Sequence, residues 1–235
     1  MSADKLKNAL DPEKWTTNCN WLLLQAEALD RIHQPCSRLG IWAAQLEPAD
    51  KGNPALCFVR AMQIEGHHVA ALLSLALYKP ALSCARTMVE CALYYSYFRT
   101  HPVELGTLAS KSAFYLDRTE ITRFHKNHTP RFAATESALG LLSRLDDWYK
   151  RVSAIVHGQI PGGWYLYSGL SEIRHDPDTL ERAIHEFERG EQIIHGLLLC
   201  TVAPDLWADF AVTAKRKLLK GLSAAEKAAL TLTPA

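Results

Sequence analysis

The chain has 235 residues, of which 48% are hydrophobic and 22% are charged, a balance typical of ordinary globular proteins. Lysines and arginines number 26 against 25 aspartates and glutamates, which gives a net charge of +1. This balance excludes nucleic-acid or membrane binding that is driven by overall charge, so any contact with RNA has to come from a local basic patch.

Cysteine usage and hydropathy indicate a cytoplasmic protein. The six cysteines are scattered without a Cys-x2-Cys pair, which is typical of reduced thiols in the cytosol. The first residues contain no apolar segment of the kind found in signal peptides. The longest apolar run, near Val69 to Tyr78, is too short to cross a bilayer. We therefore expect a cytoplasmic location and no membrane contact.

Apolar residues recur at helical spacing along most of the chain, and no stretch shows a strong strand pattern. Prolines and capping residues set the expected helix boundaries, and Pro35 is expected to end the first long helix. The predicted helices are Pro12–His33, Ser37–Leu46, Pro54–Tyr78, Ala81–Thr100, a less regular region Val103–His128, a helix from about Ala133 to His157, Pro177–Cys200, Leu206–Leu219 and Ser223–Leu230.

These elements predict an all-α, multi-helix bundle. The length favours a single helical domain over residues 1–235, with a core bundle over 11–200 and short helices over 201–235. Helices Pro54–Tyr78 and Ala81–Thr100 are apolar on most of their circumference, which is typical of helices at the centre of a bundle.

The stretch from Leu141 to Gly163 contains the clearest amphipathic helix. Its apolar residues recur every three or four positions, which predicts one buried stripe: Leu141, Leu145, Trp148, Val152 and Ile155. Gly158 follows His157 at the position where glycine favours a helix end, and Pro161-Gly162-Gly163 prevents continuation of the helix.

The opposite face of this helix carries the candidate chemistry. Successive helical residues are about 100° apart, so four polar residues fall within about 60° of one another and away from the stripe: Asp146, Lys150, Ser153 and His157. Arg151 lies about 120° around the helix from His157. The negative end of the helix dipole favours the protonated form of an imidazole at this position. The pattern predicts a polar site at the end of the helix.

Arg151 and His157, six positions apart at the end of a helix, resemble the Arg-x(4–6)-His motif of the HEPN superfamily. The longer pattern Tyr149-x3-Ser153-x3-His157-Gly158 is similar to one found in some uncharacterised bacterial HEPN-like families. The resemblance implies a helical bundle and, as for many HEPN proteins, a metal-independent ribonuclease of a defence or toxin system. It also implies a homodimer, because HEPN active sites form where two protomers bring their motifs together, and an antitoxin or defence-system partner. Many active members have a polar residue directly after the arginine, where this chain has Val152.

The resemblance implies roles for the residues of the motif. His157 would act as general base or acid on a ribose 2′-hydroxyl, which attacks its own phosphodiester and leaves a 2′,3′-cyclic phosphate. Arg151 or Lys150 would stabilise the charge on the phosphate oxygens, so that neither a metal nor another cofactor is required. Ser153 and Tyr149 complete the motif. Tyr149 is expected to bind or orient the substrate. The alternative is that His157 only caps free carbonyls at the helix end.

A charged pair interrupts the otherwise apolar helix Ala81–Thr100. Arg86 and Glu90 are four residues apart, and charges are costly in such surroundings. One interpretation places them under His157, with Glu90 orienting the base and Arg86 binding phosphate. The other is an ion pair that satisfies only itself.

Three further features bear on a binding site. The aromatics Trp164, Tyr165 and Tyr167 either stack bases or fill the core. The basic stretch from Asp117 to Arg131 offers charges for a local patch. His67-His68 and His125-x2-His128 have no acid or cysteine placed to complete a recognisable metal site, and paired Glu-x2-His signatures are absent, so no metal site is predicted.

Two hypotheses about function follow. The first is an RNase that is active as a homodimer. The second is a non-catalytic HEPN-like bundle that binds RNA, a nucleotide or a protein partner.

Overall fold

The chain is all-α in a computed structural model that describes residues 3–160, 164, 167 and 169–233, and no strand occurs among these residues. This confirms the predicted fold class. The helices are α1 Ala3–Ala9, α2 Pro12–Leu23, α3 Ala26–Ala49, α4 Leu56–Ser74, α5 Tyr78–Phe98, α6 Pro102–Ser110, α7 Arg118–His128, α8 Phe132–Leu139, α9 Leu141–Val156, α10 Pro177–Thr201, α11 Ala203–Leu206, α12 Val212–Leu218 and α13 Ala224–Leu230, with 3-10 turns at Leu170–Glu172 and Trp207–Asp209.

Helices α3, α4, α5, α9 and α10 form the centre of the bundle. Helix α5 packs against α4 along its length and also against α10 and α9. The buried apolar cluster begins at Leu22 in α2 and extends to Leu230 in α13. Within the part of the chain that the structure describes, no helix combines the length and the apolar character needed to cross a membrane.

Pro35 does not end a helix as predicted, because it lies inside the 24-residue helix α3. Five buried residues follow one another at helical spacing along α3 and form its core face: Ile32, Pro35, Leu39, Trp42 and Leu46. A proline inside a helix costs about 3 kcal/mol, and burial of each large apolar side chain contributes about 1.5–3 kcal/mol. Tertiary burial therefore outweighs the local preference.

The first long helix ends earlier than predicted, at Leu23, and the chain turns at Leu24 and Gln25. Leu23 is 64% exposed and Leu24 is 81% exposed. Neither glycine nor proline marks this turn, so the local sequence contains no breaker that would predict it.

The corner between α4 and α5 also differs from the prediction, because α4 ends at Ser74 and α5 begins at Tyr78. His175, distant in sequence, holds this corner. Its Nε2 lies 3.3 Å from the carbonyl of Ser74 and 3.1 Å from that of Asn18, and its Nδ1 lies 2.9 Å from the Tyr78 hydroxyl. Because the carbonyls accept from Nε2–H, Nδ1 accepts from Tyr78.

The predicted helix from Ala133 to His157 is two helices, α8 and α9, separated by Gly140 with φ 58°. The stripe of α9 is confirmed, since all five of its residues are buried. The end of α9 is also confirmed, with Gly158 at φ 70°. The N–H of Gly158 donates to the Ile155 carbonyl, and that of Gln159 donates to the Ala154 carbonyl, so these two carbonyls near the helix end are satisfied.

Candidate functional site

Helix α9 lies between α5 and α10, and its orientation is set by Trp148. This indole is fully buried, and its Nε1 donates to the Glu186 carbonyl of α10 at 2.8 Å. Gly190 of α10 faces the ring, and a Cβ at this position would lie 2.8 Å from the indole. One flank of α9 is thereby directed to α5 and the other flank to α10.

On the α5 flank, His157 meets Arg86. The Arg86 Nη1 and the His157 Nε2 are 2.9 Å apart, and His157 is exposed at the end of α9. A guanidinium only donates hydrogen bonds, so Nε2 accepts and the imidazole in this contact is neutral, with its proton on Nδ1. The contact joins a general-base candidate to a fixed positive charge.

Arg86 is held in place by Tyr149 and Glu90. Its Nη2 and Nε lie 2.8 and 3.1 Å from the Tyr149 hydroxyl, and Nε lies 3.1 Å from Glu90 Oε1. The Tyr149 hydroxyl donates to the same carboxylate oxygen at 2.6 Å. Burial, and next the hydrogen bond to Glu90, raises the pKa of the Tyr149 phenol. Arg86 thus lies beside His157, whereas Glu90 contacts Arg86 and Tyr149 and forms an ion pair with Arg86, so the expected contact of Glu90 with the base is not among the described contacts.

Arg118 of α7 joins this group, although the sequence does not single it out. Its guanidinium lies 4.7 Å from the centre of the Tyr149 ring, and that of Arg86 lies 4.8 Å away. Arg118 also forms an ion pair with Asp146 of α9. The only sequence signal is its place in the basic stretch from Asp117 to Arg131, because its contact with α9 depends on tertiary packing.

A cleft of about 260 Å³ opens beside these residues. Its lining combines two guanidiniums with three tyrosine rings and two carboxylates: Arg86, Arg118, Tyr94, Tyr115, Tyr149, Glu90 and Asp117. Tyr115 is 73% exposed at its rim. Aromatic faces beside guanidiniums are suited to stacked bases and phosphates.

Arg151 lies on the other flank of α9, away from His157. Its Nε donates to Glu186 Oε1 at 2.6 Å and its Nη2 to Oε2 at 3.2 Å. It shares a second cleft with Trp164 and His185. Arg151 and His157 lie about 120° apart around the helix, as expected from the sequence. Arg151 therefore contacts α10 and His157 contacts α5.

The side chains of the other polar residues predicted on the same face of α9 as His157 form no hydrogen bond with its imidazole among the described residues. Lys150 is exposed, and within the described part of the chain no hydrogen bond or ion pair engages it. The Ser153 hydroxyl is buried without a hydrogen-bond partner among the described residues. The partners of His157 come from α5, which a helical wheel of α9 does not contain.

The aromatic residues after α9 lie only partly within the described residues, because Tyr165 and residues 161–163 fall outside them. Trp164 stacks under the Arg182 guanidinium at 5.0 Å. The Tyr167 hydroxyl donates to the Arg174 carbonyl at 2.7 Å. Both contacts are internal to the chain.

Comparison with models of protein families, with curated proteins and with solved structures finds no match.

Proposed function

We propose that the protein is a metal-independent endoribonuclease in which Arg86, rather than Arg151, acts with His157. The observation that supports this proposal is the hydrogen bond of 2.9 Å between Arg86 and the exposed imidazole. The Tyr149–Glu90 pair that orients Arg86 and the adjoining cleft with its tyrosines and Arg118 also support it. Arg151 is engaged by the Glu186 carboxylate, which favours a structural role for it.

The proposed reaction follows from the chemistry of these groups. A phosphate entering the site takes the place of His157 as the acceptor of the Arg86 N–H, which frees His157 Nε2. The imidazole removes the proton from a ribose 2′-hydroxyl, and the 2′-oxygen attacks the adjacent phosphorus. The bond from phosphorus to the 5′-oxygen breaks, and that oxygen takes a proton from water. Arg86 stabilises the charge on the phosphate oxygens throughout.

The proposal includes the biological setting of the family that the motif resembles. The protein acts in the cytoplasm in a toxin or defence role, controlled by an antitoxin or another defence-system partner, and its active form is a homodimer. Static light scattering on the purified protein at tens of micromolar tests the assembly. A mass of twice the 26.3 kDa chain is expected, and a monomer would contradict the dimer.

Cleavage of total RNA and tRNA, with and without EDTA, tests the enzyme. The wild type should cleave under both conditions and leave 2′,3′-cyclic phosphate ends. His157→Ala should abolish cleavage. Arg86→Ala should lower the rate by about 10²-fold or more, as expected when a donor to a developing oxyanion is removed.

Arg151→Ala is the matched control, because it removes the same charge from the opposite flank of α9. Melting temperatures and circular dichroism of all variants separate loss of activity from loss of fold. Full activity of His157→Ala, or equal loss of activity in the two arginine variants, would exclude the proposed pairing.

A second candidate function is RNA binding without cleavage, and the exposed Tyr115 at the rim of the cleft favours it. In that case the wild type binds single-stranded RNA but leaves it intact. Tyr115→Ala should weaken binding, since base stacking on an aromatic side chain is worth about 1–3 kcal/mol. His157→Ala should bind almost normally. Fluorescence anisotropy with a labelled oligonucleotide distinguishes the two functions.

A further inference from the structure

Three side chains with different metal-binding atoms meet where α4 packs against α5. A carboxylate oxygen of Glu65, an imidazole nitrogen of His68 and the sulfur of Cys84 all lie within 4.8 Å of one another. Glu65 and His68 lie one turn apart on α4, with Oε2 and Nδ1 separated by 3.5 Å. Cys84 comes from the neighbouring helix α5.

We propose that Glu65, His68 and Cys84 bind a zinc ion. Zinc accepts this combination of oxygen, nitrogen and sulfur, with bonds of about 2.0–2.3 Å. Ligand atoms around a tetrahedral ion are then about 3.3–3.7 Å apart. The Glu65 and His68 atoms are already at this separation, at 3.5 Å. The Cys84 sulfur lies within 4.8 Å of both, and rotation of the flexible Glu65 side chain and of the Cys84 thiol brings the three atoms onto one ion.

The charges around the cluster suit a cation. Among the described residues, Glu65 has no ion pair with a lysine or an arginine, and its Oε2 lies 3.5 Å from the His68 imidazole. Burial, and next a hydrogen bond to Glu65, raises the pKa of the Cys84 thiol to about 12. On binding, the sulfur–zinc bond replaces the sulfur–hydrogen bond, and the proton is released to solvent.

Three protein ligands leave a fourth position open. The His68 side chain is 54% exposed and that of Glu65 is 23% exposed, so this position faces solvent and takes a water molecule or an external ligand. Arg86 is two residues from Cys84 on α5 and thus points about 200° away around the helix. The zinc site is therefore separate from the contact between Arg86 and His157, and the ion is not required for the proposed cleavage.

The sequence conceals this site because its ligands come from two helices. Paired Glu-x2-His signatures are absent, but a single Glu65-x2-His68 is present. Its third ligand follows sixteen residues later, beyond the turn between α4 and α5. Only the packing of these helices brings the thiol to the imidazole.

Titration of EDTA-treated, dialysed protein with Zn²⁺ and with Co²⁺ tests the proposal. One equivalent of Zn²⁺ should bind, raise the melting temperature and release a proton. Co²⁺ should produce a thiolate-to-metal charge-transfer band that Zn²⁺ abolishes. Cys84→Ser should eliminate this band. His68→Gln, at a half-exposed position that does not endanger the fold, should weaken Zn²⁺ binding by about 100-fold or more, since even residues that only orient a metal ligand are worth 10–100-fold.

Cys57→Ser and His67→Gln are the matched controls, because both residues are exposed on α4 outside the cluster. Each control should bind Zn²⁺ like the wild type. Absence of saturable binding to the wild type would overturn the proposal, and so would wild-type affinity in both Cys84→Ser and His68→Gln. RNA cleavage is not a readout here, so failure of the ribonuclease proposal leaves this test intact.

Discussion

Glu186 of α10 holds α9 in its orientation through both its carboxylate and its backbone carbonyl. Its carboxylate is 8% exposed and receives two hydrogen bonds from Arg151, while its backbone carbonyl receives the Trp148 indole N–H. A buried carboxylate needs such partners, because desolvation without them is costly. Arg151, the arginine of the motif, is thus engaged in a structural ion pair within the chain.

Arg151→Ala should lower the free energy of unfolding by about 1.5–3 kcal/mol, the usual worth of hydrogen bonds to a charged group. The physical reason is that Glu186 would stay buried without its partner. Urea unfolding followed by circular dichroism measures the change. Lys150→Ala, the exposed neighbour, should stay within about 0.5 kcal/mol of the wild type. Equal stability of the two variants would disprove the structural role of Arg151.

Ser153→Ala should leave stability unchanged or raise it by about 1 kcal/mol, because the buried hydroxyl has no partner among the described residues. Ser96→Ala is the matched control on α5. Its buried hydroxyl donates to the Leu93 carbonyl and lies 2.9 Å from His125 Nε2, so its loss should cost about 1–3 kcal/mol. Thermal unfolding compares the two. A comparable loss in both would show that Ser153 has a partner in the folded protein.

At the scale of helices, the sequence predicts elements with one clean apolar stripe and misses those decided by distant contacts. The stripe of α9 and its end at Gly158 are as expected, since spacing and glycine chemistry are local. Pro35 within α3 and the corner at Ser74 depend on burial and on His175, which no local window contains. The same holds for the candidate site. Local spacing identifies His157, whereas its contact with Arg86 forms only when α5 packs against α9 and is not predictable from the sequence.

Gly190→Ala should destabilise the protein by about 1–3 kcal/mol, because the added Cβ would lie 2.8 Å from the rigid, fully buried Trp148 ring. This loss opposes the gain of up to about 1 kcal/mol that alanine brings to a helix. Gly106→Ala in α6 isolates that gain, since among the described residues no atom outside its own helix backbone and chain neighbours lies within 4 Å of its added Cβ. Chemical denaturation of both variants measures the difference. If both are stabilised, α9 and α10 do not approach as closely as described.

At the scale of the whole molecule, three buried titratable groups couple the fold to pH. Burial, and next the charge of His101, lowers the pKa of His125 to about 4. Burial, and next Arg38, lowers the pKa of His195 to about 3. Burial raises the pKa of Glu191 to about 7 despite the Arg38 guanidinium 2.8 Å away. The histidines therefore favour folding in their neutral forms, and Glu191 does so when protonated.

The signs of these shifts predict how stability changes between pH 7 and pH 5. The two histidines contribute fully above about pH 6.5, and their contribution falls as the pH drops towards 4, because the unfolded chain then binds protons that the folded one does not. Glu191 acts oppositely, since its contribution is full below about pH 4.5 and is lost as the pH rises through 7. Between pH 7 and pH 5, the contribution of each histidine to the free energy of unfolding should fall by about 2 kcal/mol. The contribution of Glu191 should rise by about 2 kcal/mol over the same range.

The net expectation for these three groups is a loss of about 2 kcal/mol on going from pH 7 to pH 5. Urea unfolding at the two pH values should show almost no loss of stability for His125→Gln, in contrast to the wild type. Of the three groups, only His195 and Glu191 titrate in this variant, and their opposite changes nearly cancel. Glu191→Gln should instead deepen the loss to about 4 kcal/mol, since the compensating carboxyl is gone. His33→Gln, which replaces an exposed histidine, should keep the wild-type dependence. A His125→Gln variant as sensitive to acid as the wild type would show that His125 is not the neutral, buried group that couples this fold to pH.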